Sequence, residues 1–279
     1  MRIVSGGASD VGRVRGNNED SFRIVESLNL FVLSDGMGGE AHGEVASRIG
    51  VDAVVDHIRE ATENSSAPLL GEPSPTLNAN TQRLASAVYF ANRRIFDSAT
   101  EHPEQHGMGA TLTTAWINDA MLSVAHVGDS RAYLLRNGTL QQLTNDHSLV
   151  AEQVRRGILT PAEAEESELQ SVLLRALGAR TEVEIDAEDH AIFPRDVLLL
   201  CSDGLTRMLT EPEIAGTLQA ETNPQSAAEK LIEMANDNGG ADNITVIVVR
   251  VDADPKGWKT WFRKGARNES NGNGVPGGK

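Results

Sequence analysis

The residues best suited to chemistry in this chain are acids placed at the ends of apolar segments. Two apolar runs lead directly into the same Ser-Asp-Gly sequence, and the acids there are Asp35 and Asp203. A third acid, Asp242, stands just before the apolar run 244–249. Acids at the ends of core strands can converge on one point, and converging carboxylates repel each other unless cations lie between them. Hard divalent ions such as Mg²⁺ and Mn²⁺ bind oxygen ligands of this kind.

Other polar residues are candidates to complete such a site. In one short polar segment, Arg15 can hold a phosphate through two hydrogen bonds, and Glu19 and Asp20 can bind the waters around a metal ion. Taken alone, this segment is also compatible with a solvated loop. Gly36 offers a backbone carbonyl that a cation can approach, although Asp-Gly is also a common turn. Asp129 lies in Gly-Asp-Ser, which is equally compatible with a tight hairpin.

Composition narrows the class of protein. The formal net charge of -15 argues against a nucleic-acid-binding surface, which is normally basic. The single cysteine, Cys201, excludes an internal disulfide framework and fits a reducing compartment, and its place in an apolar run predicts an inert core thiol. The sequence starts without a signal-peptide pattern, and no stretch approaches the roughly 20 apolar residues of a membrane span. We therefore expect a cytoplasmic protein.

Hydrophobic periodicity predicts the elements that position these acids. Strands are predicted at 3–9, 21–25, 29–34, 111–117, 121–127, 131–136, 139–143, 182–186, 197–202 and 244–249. Helices are predicted at 44–60, 81–99, 148–156, 211–219 and 224–237, with another beginning at Thr160. The four strands between 111 and 143 are expected to form an antiparallel meander. This order favours an α+β fold of two packed antiparallel sheets with helices outside.

Several ordered motifs resemble the metal-dependent protein phosphatases, the type 2C Ser/Thr phosphatases, in their bacterial branch. The resemblance covers about residues 1–252. The motifs are RGNNED from Arg15, DGMGG from Asp35, MGAT from Met108, VGDSR from Val127, TNDHS from Thr144, RALG from Arg175, SDGLT from Ser202 and DNIT from Asp242.

The resemblance implies a four-layer αββα sandwich of two antiparallel β-sheets flanked by helix pairs. It also implies a role for each candidate residue. Asp35 bridges two Mn²⁺ or Mg²⁺ ions, the Gly36 carbonyl binds one ion, and Asp203 and Asp242 bind the other. The remaining implied roles are orientation of metal-bound waters by Glu19 and Asp20, binding of the substrate phosphate by Arg15, and a weaker third metal site that includes Asp129.

The implied function is hydrolysis of phospho-Ser and phospho-Thr in proteins, in opposition to a bacterial Ser/Thr kinase. Two cations about 3.5–4 Å apart lower the pKa of a bridging water, which attacks phosphorus in line, so no side-chain nucleophile is needed. A monomer is expected. Two alternatives stay open: a regulatory protein of this fold without turnover, and a hydrolase of small phosphate esters. The first would be expected to lack a metal carboxylate, yet Asp35, Asp203 and Asp242 are all present.

Two positions depart from the family pattern. Many eukaryotic members have a His after the first Asp-Gly, where this chain has Met37. Relatives commonly have an acid four residues after the second Asp-Gly, where this chain has Arg207, a cation that is expected to weaken a third metal site. The variable segment 148–170, called the flap in this family, is acidic. It is predicted to be a solvated helical face, with selection of basic phosphopeptides as the alternative hypothesis.

The resemblance divides the chain into a catalytic domain at 1–252 and a basic, flexible tail at 253–279. Two tryptophans lie among cations between Trp258 and Lys264. That combination suits a membrane interface or an acidic partner. The favoured interpretation is a solvated tail that folds back on the acidic body of the protein.

Overall fold

The structure, a computed structural model, describes residues 1–38, 42–64, 68–71 and 74–253. The strands are β1 Arg2–Asp10, β2 Asp20–Val25, β3 Leu30–Met37, β4 Gly109–Ala110, β5 Leu112–Asn118, β6 Met121–Val127, β7 Arg131–Arg136, β8 Thr139–Gln142, β9 Asp186–Ala191, β10 Val197–Cys201 and β11 Ile244–Asp252. The helices are α1 Gly43–Glu63, α2 Ala79–Glu101, α3 Leu149–Arg155, α4 Pro161–Glu165, α5 Asp203–Thr206, α6 Glu211–Ala220 and α7 Pro224–Asp237. Among the described residues, no helix has the length and apolar character that a bilayer crossing requires.

The strands form two antiparallel sheets. One has the order β1-β11-β10-β7-β8, and the other has the order β2-β3-β5-β6-β9, with β4 paired to β3. Strands β10 and β11 are buried almost throughout, because each is covered by the other sheet on one face and by helices on the opposite face. This double burial explains why both strands read as continuous apolar runs rather than as alternating ones.

Three apolar layers hold the sheets and helices together. One lies between α1, α2 and the sheet that contains β3, and it includes Val54, Ile58 and Leu84. A second lies between the two sheets and includes Leu200 and Ile247. The third lies between α6, α7 and the sheet that contains β11. The α+β architecture of two antiparallel sheets with helices on the outside is thereby confirmed.

Part of the predicted topology is wrong. The strands between 111 and 143 do not form one meander, because β5 and β6 belong to one sheet and β7 and β8 to the other. The segment around Asp129 is therefore a crossover between sheets and not a hairpin. The strand predicted at 182–186 is β9 at Asp186–Ala191, an edge strand of mostly polar residues that periodicity missed.

Candidate metal and phosphate site

The acids singled out in the sequence meet at one end of the sandwich. Asp35 lies in β3, Asp203 follows β10, Asp242 precedes β11, and Asp129 follows β6. Because β10 and β11 pair antiparallel, with Cys201 opposite Val246, the end of one strand and the start of the other fall at the same edge. All four acids line a single cleft of about 360 Å³. The other predicted residues that line it are Arg15, Glu19 and Gly36.

Asp35 is held firmly by its backbone. Its N–H donates to Thr111 Oγ1 at 3.0 Å, and its carbonyl accepts from the Thr111 N–H at 2.8 Å. In β2, Asp20 is its direct cross-strand partner. Burial, followed by the charges of Asp20 and Asp203, raises the pKa of Asp35 well above its ordinary value. A cation beside Asp35 would therefore relieve both the burial of a charge and the repulsion between like charges.

Two arginines form ion pairs with Asp203 and Asp242. Arg15 forms a two-pronged pair with Asp242, with Nε to Oδ1 and Nη2 to Oδ2 both 2.8 Å. Arg207, four residues after Asp203, places Nη2 2.5 Å from Asp203 Oδ2 and Nη1 3.6 Å from Asp242 Oδ2. Both guanidinium groups are thus paired with carboxylates that the resemblance assigns to metal ions.

Asp20 lies beneath the cleft and does not line it. Its Oδ2 accepts hydrogen bonds from Ser202 Oγ at 2.9 Å and Thr245 Oγ1 at 2.6 Å. Burial raises the pKa of Asp20 to about 7, although both hydrogen bonds oppose that shift. Its Oδ1, like Oδ1 of Asp203, is buried without a hydrogen-bond partner among the described residues.

Asp129 belongs to the same acidic group. Its side chain is almost buried, and burial together with the charge of Asp203 raises its pKa to about 7. The crossover that carries it is fixed by two buried histidines. His147 Nδ1 accepts from the Gly128 N–H at 3.1 Å, and His126 Nε2 lies 3.0 Å from the Gly128 carbonyl. Neither histidine lines the cleft, and both act on the backbone of the crossover that carries Asp129.

Two glycines allow the backbone to close around the acids. A Cβ at Gly36 would collide with the carbonyl oxygen of Gly43 at the start of α1. A Cβ at Gly204 would collide with the carbonyl oxygen of Asn243. In both places the neighbour is backbone and has little freedom to move, so only glycine fits next to the acid.

The donor set suits a hard divalent cation. It consists of carboxylates and a bare carbonyl, and two buried carboxylate oxygens have no partner in the part of the chain described. As the side chains stand, no group of three described His, Cys, Asp or Glu residues is arranged to hold a metal ion by itself. Asp203 Oδ2 and both carboxylate oxygens of Asp242 are paired with arginines, so Arg15 and Arg207 would have to move before those oxygens could act as ligands.

Sequence reasoning missed residues that fix the site without contributing charge. Asn243 donates from Nδ2 to the carbonyls of Val11 and Asn17, at 3.0 and 2.8 Å, and accepts at Oδ1 from the Glu19 N–H at 2.8 Å. It therefore joins the Arg15–Asp20 segment to the start of β11. Thr111 holds the backbone of Asp35 in place through its Oγ1 and its N–H. A single Asn or Thr next to a strand gives no distinctive signal in one sequence.

Comparison with known proteins gives a consistent result. The profile of the family described as Protein phosphatase 2C matches residues 13–242. The chain is 38% identical over 252 residues to the serine/threonine phosphatase stp of Listeria monocytogenes, covering 89% of this chain and 96% of that protein. It is 40% identical over 243 residues to the serine/threonine protein phosphatase PstP of Mycobacterium tuberculosis, covering 87% of this chain and 44% of that one.

Solved structures resemble the fold closely. The crystal structure of the Mycobacterium tuberculosis serine/threonine phosphatase PstP/Ppp aligns with a TM-score of 0.79 at 36% identity, covering 91% of this chain and all of that one. A PstP catalytic domain in complex with two manganese ions aligns with a TM-score of 0.76 at 36% identity, covering 90% of this chain and 99% of that one.

Proposed function

The chain belongs to the protein phosphatase 2C family, and we infer that it is an Mn²⁺- or Mg²⁺-dependent protein-serine/threonine phosphatase. The single observation that carries this inference is the convergence of Asp35, Asp129, Asp203 and Asp242 on one cleft that Arg15 also lines. Such a cleft combines ligands for divalent cations with a guanidinium suited to phosphate.

In the proposed site, Asp35, the Gly36 carbonyl, Asp203 and Asp242 would hold two divalent cations. When bound, the ions supply a water of lowered pKa and offset negative charge on the phosphoryl oxygens. Glu19 is proposed to orient waters from the wall of the cleft, and Asp20 to do so from beneath it, where its Oδ1 has no partner among the described residues. We assign Asp129, beside Asp203, to a further and weaker cation site.

Arg15 is proposed to hold the substrate phosphate. Its side chain is 55% exposed at the cleft mouth, so it can turn toward a ligand once Asp242 binds a cation. The guanidinium remains charged at any working pH and presents two parallel N–H groups to phosphate oxygens. It therefore orients the phosphoryl group and offsets charge that builds up during transfer.

The test is Mn²⁺-dependent release of phosphate from a phospho-Thr peptide by the wild type and by Asp35→Asn and Asp203→Asn. Each substitution is expected to lower activity by more than about 100-fold, because even residues that only support metal ligands contribute 10–100-fold. The matched control is Asp119→Asn, at an exposed turn between β5 and β6, which is expected to retain full activity.

The two alternatives give different outcomes in the same assay. Turnover of small esters without turnover of any phosphopeptide would favour a small-ester hydrolase. Binding of metal without turnover of either substrate would favour a regulatory protein. The intact set of acids and the family membership support the phosphoprotein phosphatase over both.

We further propose a cytoplasmic enzyme that opposes a Ser/Thr kinase. The buried free thiol of Cys201 supports a reducing compartment.

The proposed contact of the Trp258 to Lys264 segment with a membrane or an acidic partner lies outside the described residues. The division of the chain at residues 252 and 253 also remains a proposal, as does the monomeric state.

A further inference from the structure

A second and larger cavity opens beside the metal cleft. We call it the side groove. Its volume is about 890 Å³, and three residues line both cavities: Asp129, Asp203 and Arg207. A molecule held in the side groove would therefore extend directly from the proposed reaction centre. Volumes of about 300–1,000 Å³ are typical of sites that enclose a ligand.

The side groove has apolar walls from two separate parts of the chain. Val150 and Val154 of α3 form one wall, together with residues of α4. Leu209 and Ile214, before and within α6, also line the side groove. Both α3 and α4 belong to the segment 148–170, so one wall of the side groove is built from helices that follow the crossover carrying Asp129.

The floor of the side groove is polar and already paired. Arg131 makes a two-pronged contact with Asp146, with Nη2 to Oδ2 at 2.7 Å and Nε to Oδ1 at 2.9 Å, and it also donates to Tyr133 Oη at 3.0 Å. Gln142 Nε2 donates to Asp146 Oδ1 at 3.0 Å. Because these groups satisfy one another, the floor is already formed before a ligand binds. Binding therefore does not have to order these side chains at an entropic cost.

The charge left over in the side groove is negative. Of its three arginines, Arg131 pairs with Asp146 and Arg207 with Asp203. Arg155 pairs with Glu152, which Arg156 also contacts. Glu211, the first residue of α6, lines the groove, is exposed, and forms no ion pair with any described residue. Apart from the acids of the metal cleft, Glu211 is therefore the charged lining residue that has no ion pair with a described residue and can pair with a bound peptide.

We propose that the side groove binds the substrate segment next to the phosphorylated residue, and that Glu211 pairs with a Lys or Arg in that segment. The proposal rests on the proposed function, because it requires a phosphoprotein in the cleft. Continuity between the cavities supports a chain that passes from one to the other. The apolar walls accommodate aliphatic side chains, and the unpaired acid selects a basic one.

The test fills the side groove without touching the cleft. Ala164→Trp in α4 and Ala151→Trp in α3 each place a large ring at a partly exposed lining position. We expect KM for a phospho-Thr peptide flanked by Lys to rise about tenfold or more, the equivalent of about 1.4 kcal/mol. KM for p-nitrophenyl phosphate is expected to change less than about twofold. The control, Ala220→Trp at the far end of α6, is expected to leave both values unchanged.

A second variant tests the charge. Glu211→Gln is expected to raise KM about threefold for the Lys-flanked peptide and not for a Ser-flanked one, because an exposed ion pair contributes about 0.2–1 kcal/mol. Glu229→Gln on α7 is the matched control. The fill variants also show whether any loss comes from misfolding, since an unfolded protein would lose p-nitrophenyl phosphate hydrolysis as well.

Three results would overturn the proposal. One is an unchanged peptide KM in both Trp variants. Another is an equal loss on peptide and small ester in Trp variants whose circular dichroism matches the wild type, which would indicate that the substitutions act on the cleft and not on a peptide in the groove. The third is faster peptide turnover after removal of residues 255–279, which would make the chain's own tail the occupant. Absence of Mn²⁺-dependent hydrolysis of any substrate by the wild type would instead refute the proposed function.

Discussion

At the scale of single residues, the site is defined by acids held where their charges are unfavourable. Asp20 and Asp129 both have a pKa raised to about 7, and burial is the largest cause in each case. Folding therefore favours their protonated forms in the absence of cations. A bound cation would relieve the same cost while the acids stay ionised, and raised carboxyl pKa values of this kind cluster at functional sites.

The first prediction concerns Asp129 and pH. Its pKa rises from 3.8 to about 7 on folding, so its protonated form stabilises the fold below pH 4, and that contribution is lost as the pH rises through 7. In metal-free protein, Asp129→Asn is expected to increase the free energy of unfolding, and the gain should grow by about 2–3 kcal/mol between pH 4.5 and 8. Urea unfolding at both pH values measures it.

The matched control for that prediction is Asp119→Asn, on an exposed turn. Because Asp119 is exposed, the substitution should change the free energy of unfolding by less than about 0.5 kcal/mol. A gain for Asp129→Asn that is equal at the two pH values would show that Asp129 ionises normally in the fold, contrary to its buried position beside Asp203.

The second prediction concerns Arg207. Its guanidinium pairs with Asp203 and reduces the attraction of this side of the cleft for a further cation. Arg207→Asp replaces that cation with a ligand and is expected to tighten the weakest Mn²⁺ binding step about tenfold, because carboxylate count sets divalent affinity. Arg207→Gln, which removes charge without adding a ligand, should give a smaller gain. An unchanged calorimetric titration of Arg207→Asp would contradict this account.

At the scale of elements, the site depends on close approach of the chain between β10 and β11. Ser202 donates its N–H to the Thr245 carbonyl at 3.0 Å, and Gly204 packs directly on the Asn243 backbone. This contact brings Asp203 and Asp242 to the same edge. The geometry of the acids is thus a property of the junction between the two strands.

The third prediction tests that junction. Gly204→Ala forces a methyl group against a backbone carbonyl and is expected to cost about 1–3 kcal/mol of unfolding free energy and to weaken Mn²⁺ binding. Gly216→Ala, in α6, meets no atom within 4 Å and is expected to stabilise the protein by about 0.5–1 kcal/mol. Thermal unfolding and calorimetry measure both effects. Equal stability of the two variants would show that the junction is more adaptable than its contacts imply.

The sequence predicted elements well where burial imposes a pattern. The strands β10 and β11 were evident because both faces are covered, and α1, α2, α6 and α7 because each buries one stripe. The strand β9 was misplaced, since an edge strand of mostly polar residues carries no such pattern. The change of sheet between β6 and β7 was missed because periodicity describes single strands and not their partners.

At the scale of the whole molecule, the sandwich gathers residues that are remote in sequence. Arg15 and Asp242 are in direct contact although 227 positions separate them. The acids themselves were predictable, because strand ends and ordered motifs mark them. The pairing of Arg15 and Arg207 with those acids, the bridging amide of Asn243 and the side groove were not, since each depends on how separate segments pack.

The most direct test of the central claim, that these strand-end acids hold a pair of divalent cations, is a crystal structure grown with Mn²⁺ and analysed by anomalous scattering. We predict two peaks about 3.5–4 Å apart, both in contact with the Asp35 carboxylate, one near the Gly36 carbonyl and the other near Asp203 and Asp242, with Arg15 and Arg207 turned away from those acids. Absence of peaks in the cleft, or peaks that leave Asp35 without a metal contact, would contradict the account.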